Sequence, residues 1–243
     1  MNTKPNNPIR AIFFDLDGTL RHSVPEGGNV FTDYAISIGL RINIEDRLRA
    51  MRWEHLYWAS SPDLREDLLA HSDNTENFWI EYSRRRLIAL GASPAQAIEF
   101  AAKASAHMGA EYRPTSIIPD DVRRTLPALQ QTGYRMAVIS NRDYPFQELL
   151  ASLEIDQFFE FSLAAGEVGI FKPEPGVFEH ALKHSNLTAA ETVYVGDNYF
   201  ADVVGARRAG LHPVLYDPKG IFPESDCVTI KSFDELLPAI KLF

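Results

Sequence analysis

Short apolar runs that stop abruptly at polar residues recur along this chain, and they leave few folds open to it. Ile9–Phe14 runs into Asp15-Leu16-Asp17-Gly18-Thr19, Tyr134–Ile139 into Ser140-Asn141, and Thr192–Val195 into Gly196-Asp197. Each run has the length and composition of a buried strand. Helical stretches separate them: Asp120–Thr132 ended by Gly133, Pro145–Leu153, Glu174–His184, and Asp202–Ala209 ended by Gly210. Phe158–Leu163, His212–Tyr216 and Cys227–Ile230 read as further short strands, and Ser232 with Glu235 makes a capping-box pattern for a last helix. Strand and helix alternating through short loops predict an α/β fold with a parallel sheet covered on both faces. Ligands bind such sheets outside the carboxyl ends of the strands, so one crevice can collect Asp15, Ser140-Asn141 and Gly196-Asp197. Pro127 falls inside a predicted helix and is expected to kink or split it.

Between about Arg21 and Tyr112 the pattern changes. No strand-like run meets a polar stop there. Phe31–Leu40, Ile44–Ala59, Pro62–His71, Asn74–Leu90 and Pro94–Gly109 read as helices. The sequence therefore divides into a core, residues 1–20 and 113–243, and a helical insert, residues 21–112. The connections near Arg21–Gly28 and Tyr112–Ser116 are expected to act as hinges, with Gly27-Gly28 as a mobile linker or a plain turn. Residues 1–8 read as a loose polar tail.

The chemistry-bearing residues are few. Asp15 and Asp17 stand at i and i+2, which in extended backbone points both carboxylates the same way. Two such groups ionise together only beside a cation; otherwise one keeps a proton. One carboxylate that attacks and one that moves protons would make a catalytic pair. The competing reading is a calcium loop with Glu26 at its twelfth position. Leu20 stands where that loop needs glycine, and the preceding run is not an EF-hand helix. Ser140 and Asn141 can donate to phosphate oxygens. Lys172, flanked by Phe171 and Pro173, can balance phosphoryl charge. Asp197 suits a hard cation, and Asp202 can support it, although an acid at a helix start needs no such role.

Taken in order, Asp15-Leu-Asp17-Gly18-Thr19, Ser140-Asn141, Lys172-Pro173 and Gly196-Asp197-xxxx-Asp202 resemble the four motifs of the haloacid dehalogenase superfamily. The resemblance covers about residues 8–20 and 113–243. It implies a Rossmann-like core with an inserted α-helical cap of the C1 type. It also implies Mg²⁺ held by Asp15, the Asp17 carbonyl and Asp197, with Asp202 behind. Asp15 would be the nucleophile, Asp17 the acid and base, and Thr19 the residue that orients Asp17. Gly18, Ser140, Asn141 and Lys172 would hold the phosphoryl group. Within that superfamily dehalogenases usually carry Tyr at the place of Asp17, and transport ATPases carry Thr. A halide leaves without a proton and an alkoxide does not, so Asp17 points to phosphate monoester hydrolysis. A phosphomutase shares all four motifs, and a binding module without turnover is the remaining alternative.

The rest of the composition narrows the partners. A net charge of −9 gives no basic footprint for nucleic acid. No run is long and apolar enough to suggest a membrane span, and no signal-peptide pattern opens the chain, so a cytoplasmic protein acting on a small phosphorylated metabolite is expected. The single Cys227 reads as an inert, buried thiol. In the insert, Arg52, Trp53, His55, Tyr57 and Trp58 form one polar-aromatic cluster and Asn77, Phe78, Trp79 and Tyr82 another. Helical spacing makes the aromatics packing residues first, and Arg84-Arg85-Arg86 a solvated face. The other reading puts one of these arginines, or His55, against the substrate.

Overall fold

A computed structural model describes residues 8–243; the polar tail falls almost wholly outside them. Among the described residues there are eight strands: β1 (Ala11–Phe14), β2 (His22–Val24), β3 (Thr115–Ile117), β4 (Arg135–Ser140), β5 (Phe161–Ala164), β6 (Thr192–Gly196), β7 (His212–Tyr216) and β8 (Val228–Ile230). Six of them form one sheet in the order β5-β4-β1-β6-β7-β8, and β2 pairs with β3. Every pairing in the large sheet is parallel. The first strand made is thus a central one. Phe14 stands level with Val138 of β4 and with Val195 of β6. That single row sets the carboxyl ends of the three motif-bearing strands side by side.

Alternation along β1 sorts its side chains between two cores. Ile12 and Phe14 pack with Met136, Val138, Val193, Val195 and the Val122, Leu126 and Leu129 face of helix Asp120–Thr132. Ala11 and Phe13 pack with Ala137, Ile139, Tyr194 and the Val177, Phe178 and Ala181 face of helix Pro175–Ser185. Both faces are covered, which is why these strands read as continuous apolar runs rather than alternating ones. Helix Asp120–Thr132 is not split: Pro127 lies inside it. The proline leaves the Arg123 carbonyl without its helical donor, and Val122, Leu126 and Leu129, from both sides of it, pack into one core.

The chain packs as two compact units, one ending at His22 and resuming at Ser116, the other Ser23–Thr115. The second is built of helices Gly27–Ser37, Ile44–Trp58, Pro62–Ala70, Thr75–Ala89 and Pro94–Glu111. Asn43 caps the second of these and Ser93 the last, each with a reciprocal bond from the residue three further on. Gly27 and Gly28 are not a free linker; they open the first helix. A Cβ on Gly28 would come within 2.9 Å of the Arg86 guanidinium, so the glycine admits that side chain.

Tyr57, Phe78 and Tyr82 form a small core with Leu64 and Trp53, as packing residues should. The arginine run does not form a solvated face. Arg86 is buried, paired with Glu54, bonded to the Tyr82 hydroxyl and set over the Phe31 ring. Arg85 pairs with Asp63, Glu66, Asp67 and Glu81. Helix Thr75–Ala89 turns Arg85 and Arg86 inward because Asp67 and Glu54 wait there as counter-charges. Glu54→Ala is expected to cost the fold about 3 kcal/mol, since it strands a buried guanidinium. A urea melt that moves by less than about 1 kcal/mol would show the pair to be dispensable.

Candidate active site

Side-chain parity along β1 aims Asp15 to the same face as Ala11 and Phe13. On that face Tyr194 and Lys172 meet it. The Lys172 ammonium donates to Asp15 Oδ1 and to Asp202 Oδ1, both at 2.7 Å, and contacts the Tyr194 hydroxyl at 3.0 Å. The Tyr194 hydroxyl donates to the Ile139 carbonyl at 2.9 Å, which fixes it beneath the lysine. Lys172 is only 2 % exposed. Burial works against its charge, but Asp15 and Asp202 outweigh burial and hold the ammonium well above its ordinary range.

Asp197 follows β6 and Asp202 lies one wide turn beyond. Asn198 caps that turn, accepting from the Phe200 and Ala201 N–H groups. The turn, Tyr199–Val203, has π-type geometry, which occurs often at functional sites. It swings Asp202 back over β6, where its carboxylate accepts from the Asn198 N–H at 2.9 Å. Asp202 is 1 % exposed, so it is not an ordinary helix-start acid. Two glycines permit this closeness. A Cβ on Gly196 would lie 2.3 Å from Asp202, and one on Gly18, where φ is +90°, would lie 2.5 Å from Asp197.

Oxygen atoms of Asp15, Asp197 and Asp202 come within 4.8 Å of one another. Three hard anionic donors this close together, beside two glycines that keep Cβ atoms away from them, suit a small divalent cation. One lysine cannot balance them. Burial, offset in part by Lys172, pushes Asp15 up to about 7; burial and the Asp15 charge do the same to Asp197. Burial also raises Asp202. These acids hold more protons in the folded chain than in the unfolded one between pH 3.8 and about 7. Metal-free stability is therefore expected to fall as pH rises through that window. Glu191, held at about 2 by its bonds from Thr188 and Arg10, is ionised throughout that window and does not mask the trend. In EDTA the melting temperature should drop by several degrees from pH 5.5 to pH 8, and Mg²⁺ should restore it chiefly at pH 8. Equal melting at both pH values in EDTA would refute this account.

Two expected roles change on inspection of the hydrogen bonds. Thr19 does not orient Asp17: its hydroxyl donates to Asp197 Oδ1 and accepts from the Asp197 N–H, each at 3.0 Å. Its place in the turn, facing β6, decides this. The Asn141 amide does not stand open for phosphate. Its Nδ2 donates to the Lys172 carbonyl at 2.9 Å and its Oδ1 accepts from the Lys172 N–H at 2.7 Å. The amide thus imitates a strand neighbour and fastens the lysine loop to the end of β4. Ser140 closes β4 and is buried.

Asp17 is held by residues that the motifs do not mention. Arg142 donates to both of its carboxylate oxygens, from Nε at 2.8 Å and from Nη2 at 3.0 Å. Arg21 adds a bond from Nη1 at 2.5 Å. Sequence offered one hint for each: Arg142 directly follows Ser140-Asn141, and Arg21 lies four residues after Asp17. Tyr194 carried no signal, being one apolar residue among several in its strand. Cys227 is half-buried, and burial pushes its thiol up, in keeping with low reactivity.

With this geometry in hand, the comparisons decide the family. The sequence model of the haloacid dehalogenase-like hydrolases matches residues 9–210. The chain belongs to that family. A human relative, haloacid dehalogenase-like hydrolase domain-containing protein 3, is 27% identical over 96% of this chain and 94% of its own length. Glyceraldehyde 3-phosphate phosphatase of Pyrococcus abyssi is 30% identical over 86% of this chain and 81% of its own. The crystal structure of a predicted phosphoglycolate phosphatase from Haemophilus somnus superposes with a TM-score of 0.59 at 20% identity, over 96% of this chain and 99% of that one. The last comparison speaks for the haloacid dehalogenase fold. Among the described residues no helix is long and apolar enough to cross a membrane.

Proposed function

We propose that this haloacid dehalogenase-like hydrolase is a Mg²⁺-dependent phosphomonoesterase that works through an aspartyl-phosphate on Asp15 and acts on a small phosphorylated metabolite. One observation carries the reading: Asp15 is fixed by Lys172 while Asp197 and Asp202 crowd the same cradle. The phosphatase from Pyrococcus abyssi among its relatives supports it.

Asp15, Asp197 and the Asp17 carbonyl would hold Mg²⁺, with Asp202 bracing the set through Lys172. The cation, when bound, draws charge from the phosphoryl oxygens. An Asp15 carboxylate oxygen attacks phosphorus. The phosphorus–oxygen ester bond breaks, and Asp17 gives its proton to the departing alkoxide. Asp17 then takes a proton from the water that attacks the aspartyl-phosphate, which frees phosphate and Asp15. Lys172 offsets negative charge on Asp15 and on the phosphoryl group throughout. Ser140 and main-chain N–H groups at the β4 end are assigned to the phosphoryl oxygens, since the Asn141 amide is engaged with Lys172. Gly18 serves by leaving room for Asp197. The helical unit is assigned as the cap that selects the leaving group.

The test is phosphate release from a panel of phosphomonoesters with Mg²⁺ and again with excess EDTA. Turnover of at least one ester that stops in EDTA and returns with Mg²⁺ is expected. Turnover only after priming with a bisphosphate would replace the hydrolase reading with a mutase, and turnover indifferent to EDTA would remove the cation.

A further inference from the structure

Arg142 is placed with more care than a surface arginine needs. Its carbonyl accepts from the Gly166 N–H at 3.0 Å. A Cβ on Gly166 would strike the Asp143 carbonyl oxygen at 2.0 Å, so the loop after β4 is seated directly on this glycine. The Arg142 side chain is 35% exposed and can be reached from solvent. Only Nε and one N–H of Nη2 are used, both on Asp17. Nη1 has no hydrogen-bond partner among the described residues. A guanidinium is planar, so its free edge points away from Asp17.

Arg21 makes a different kind of contact. Its Nε donates to Ser116 Oγ at 2.9 Å while Nη1 holds Asp17, and its side chain is 18% exposed. Its backbone N–H is bonded to the Leu16 carbonyl at 2.8 Å. Arg21 is thus the fixed partner of Asp17. Two cations then face one carboxylate, and a net positive charge remains on the open edge of Arg142.

We propose that this edge of Arg142 binds a second anionic group, a carboxylate or a second phosphate, on the leaving-group side of the substrate. The proposal rests on the phosphatase reading above, which places Asp17 against the ester oxygen. An anion on the free edge is separated from that oxygen by three hydrogen bonds and the width of the guanidinium, a bent path that spans roughly 7–8 Å. The second anion therefore sits within about six bonds of the ester oxygen. That describes a short phosphorylated acid or a short bisphosphate. Guanidinium forks match both groups through paired N–H bonds.

Calorimetric binding tests this in the presence of Mg²⁺, on Asp15→Asn protein, which holds an ester without turning it over. The probes are 3-phosphoglycerate, propane-1,3-diol bisphosphate and glycerol 3-phosphate. Each is titrated with Arg142 intact, with Arg142→Gln and with Arg142→Lys. At least one doubly anionic probe is expected to bind about 10- to 100-fold tighter than glycerol 3-phosphate. Which one does so tells carboxylate from phosphate. Arg142→Gln should abolish the preference, and Arg142→Lys should keep part of it. Any shift of Asp17 caused by the substitution acts on all three probes, so their ratio isolates the second anion. Equal binding of the three probes, or a preference that survives Arg142→Gln, overturns the proposal. The phosphatase reading fails separately, when wild-type protein releases phosphate from no ester.

Discussion

Asp15→Asn is expected to lower kcat for phosphate release by at least about 10⁴-fold, with the protein still folded. No neighbour can replace the lost nucleophile. Asp17 is held in a fork of two arginines, and Asp197 and Asp202 are engaged with Thr19, Asn198 and Lys172. The same substitution should raise the melting temperature in EDTA at pH 8. The folded chain prefers Asp15 without its charge, because burial outweighs the help of Lys172. An inactive variant that melts higher separates loss of chemistry from loss of fold. Substantial residual turnover would remove Asp15 from the centre of the reaction, and a lower melting temperature would overturn the account of its burial.

The second large effect concerns Asp17. Asp17→Asn is expected to reduce kcat for alkyl phosphates by about 10²- to 10⁴-fold, the usual range for a lost general acid and base. For 4-nitrophenyl phosphate the loss should be clearly smaller in the step that forms the aspartyl-phosphate. Its leaving group departs as a stable anion and needs no proton. Single-turnover kinetics on the two esters read this step directly. Equal losses on both would mean that Asp17 acts by holding Arg21 and Arg142 in place rather than by moving a proton.

Much of this frame could be read from the chain because burial on both faces of a parallel sheet writes itself as apolar runs. Helix Asp120–Thr132 and strand His212–Tyr216 fall where the pattern predicts them. The acids Asp15, Asp197 and Asp202 were visible for a related reason, since each interrupts or follows such a run. What stayed hidden was direction. Asn141 was legible as an amide at a strand end, yet whether it meets phosphate or the Lys172 main chain depends on how two loops cross. Thr19 lies two residues from Asp17, and a tight turn aims it at Asp197 instead. Arg86 looked like one of three solvated charges because its counter-charge, Glu54, is on another helix. The Tyr199–Val203 turn begins ahead of the predicted helix start at Asp202, because one wide turn has no periodicity of its own. Short β2 and β3 left no apolar signature, being partly exposed along their length.

The strand order carries a consequence for how the protein is made. β1 is synthesised first, yet its two neighbours are β4 and β6, both from the far half of the chain. When β4 has left the ribosome, one side of β1 can pair and the other still presents bare N–H and carbonyl groups. β6 follows roughly 50 residues later, about 3–10 s at ordinary elongation rates. Through that interval the nascent chain carries Asp15 on an open strand edge, a hazard for pairing with another copy. β6, the strand that closes this second edge of β1, and the acids that complete the cluster, Asp197 and Asp202, emerge within a few residues of one another, so β1 is not flanked on both sides before its cradle exists.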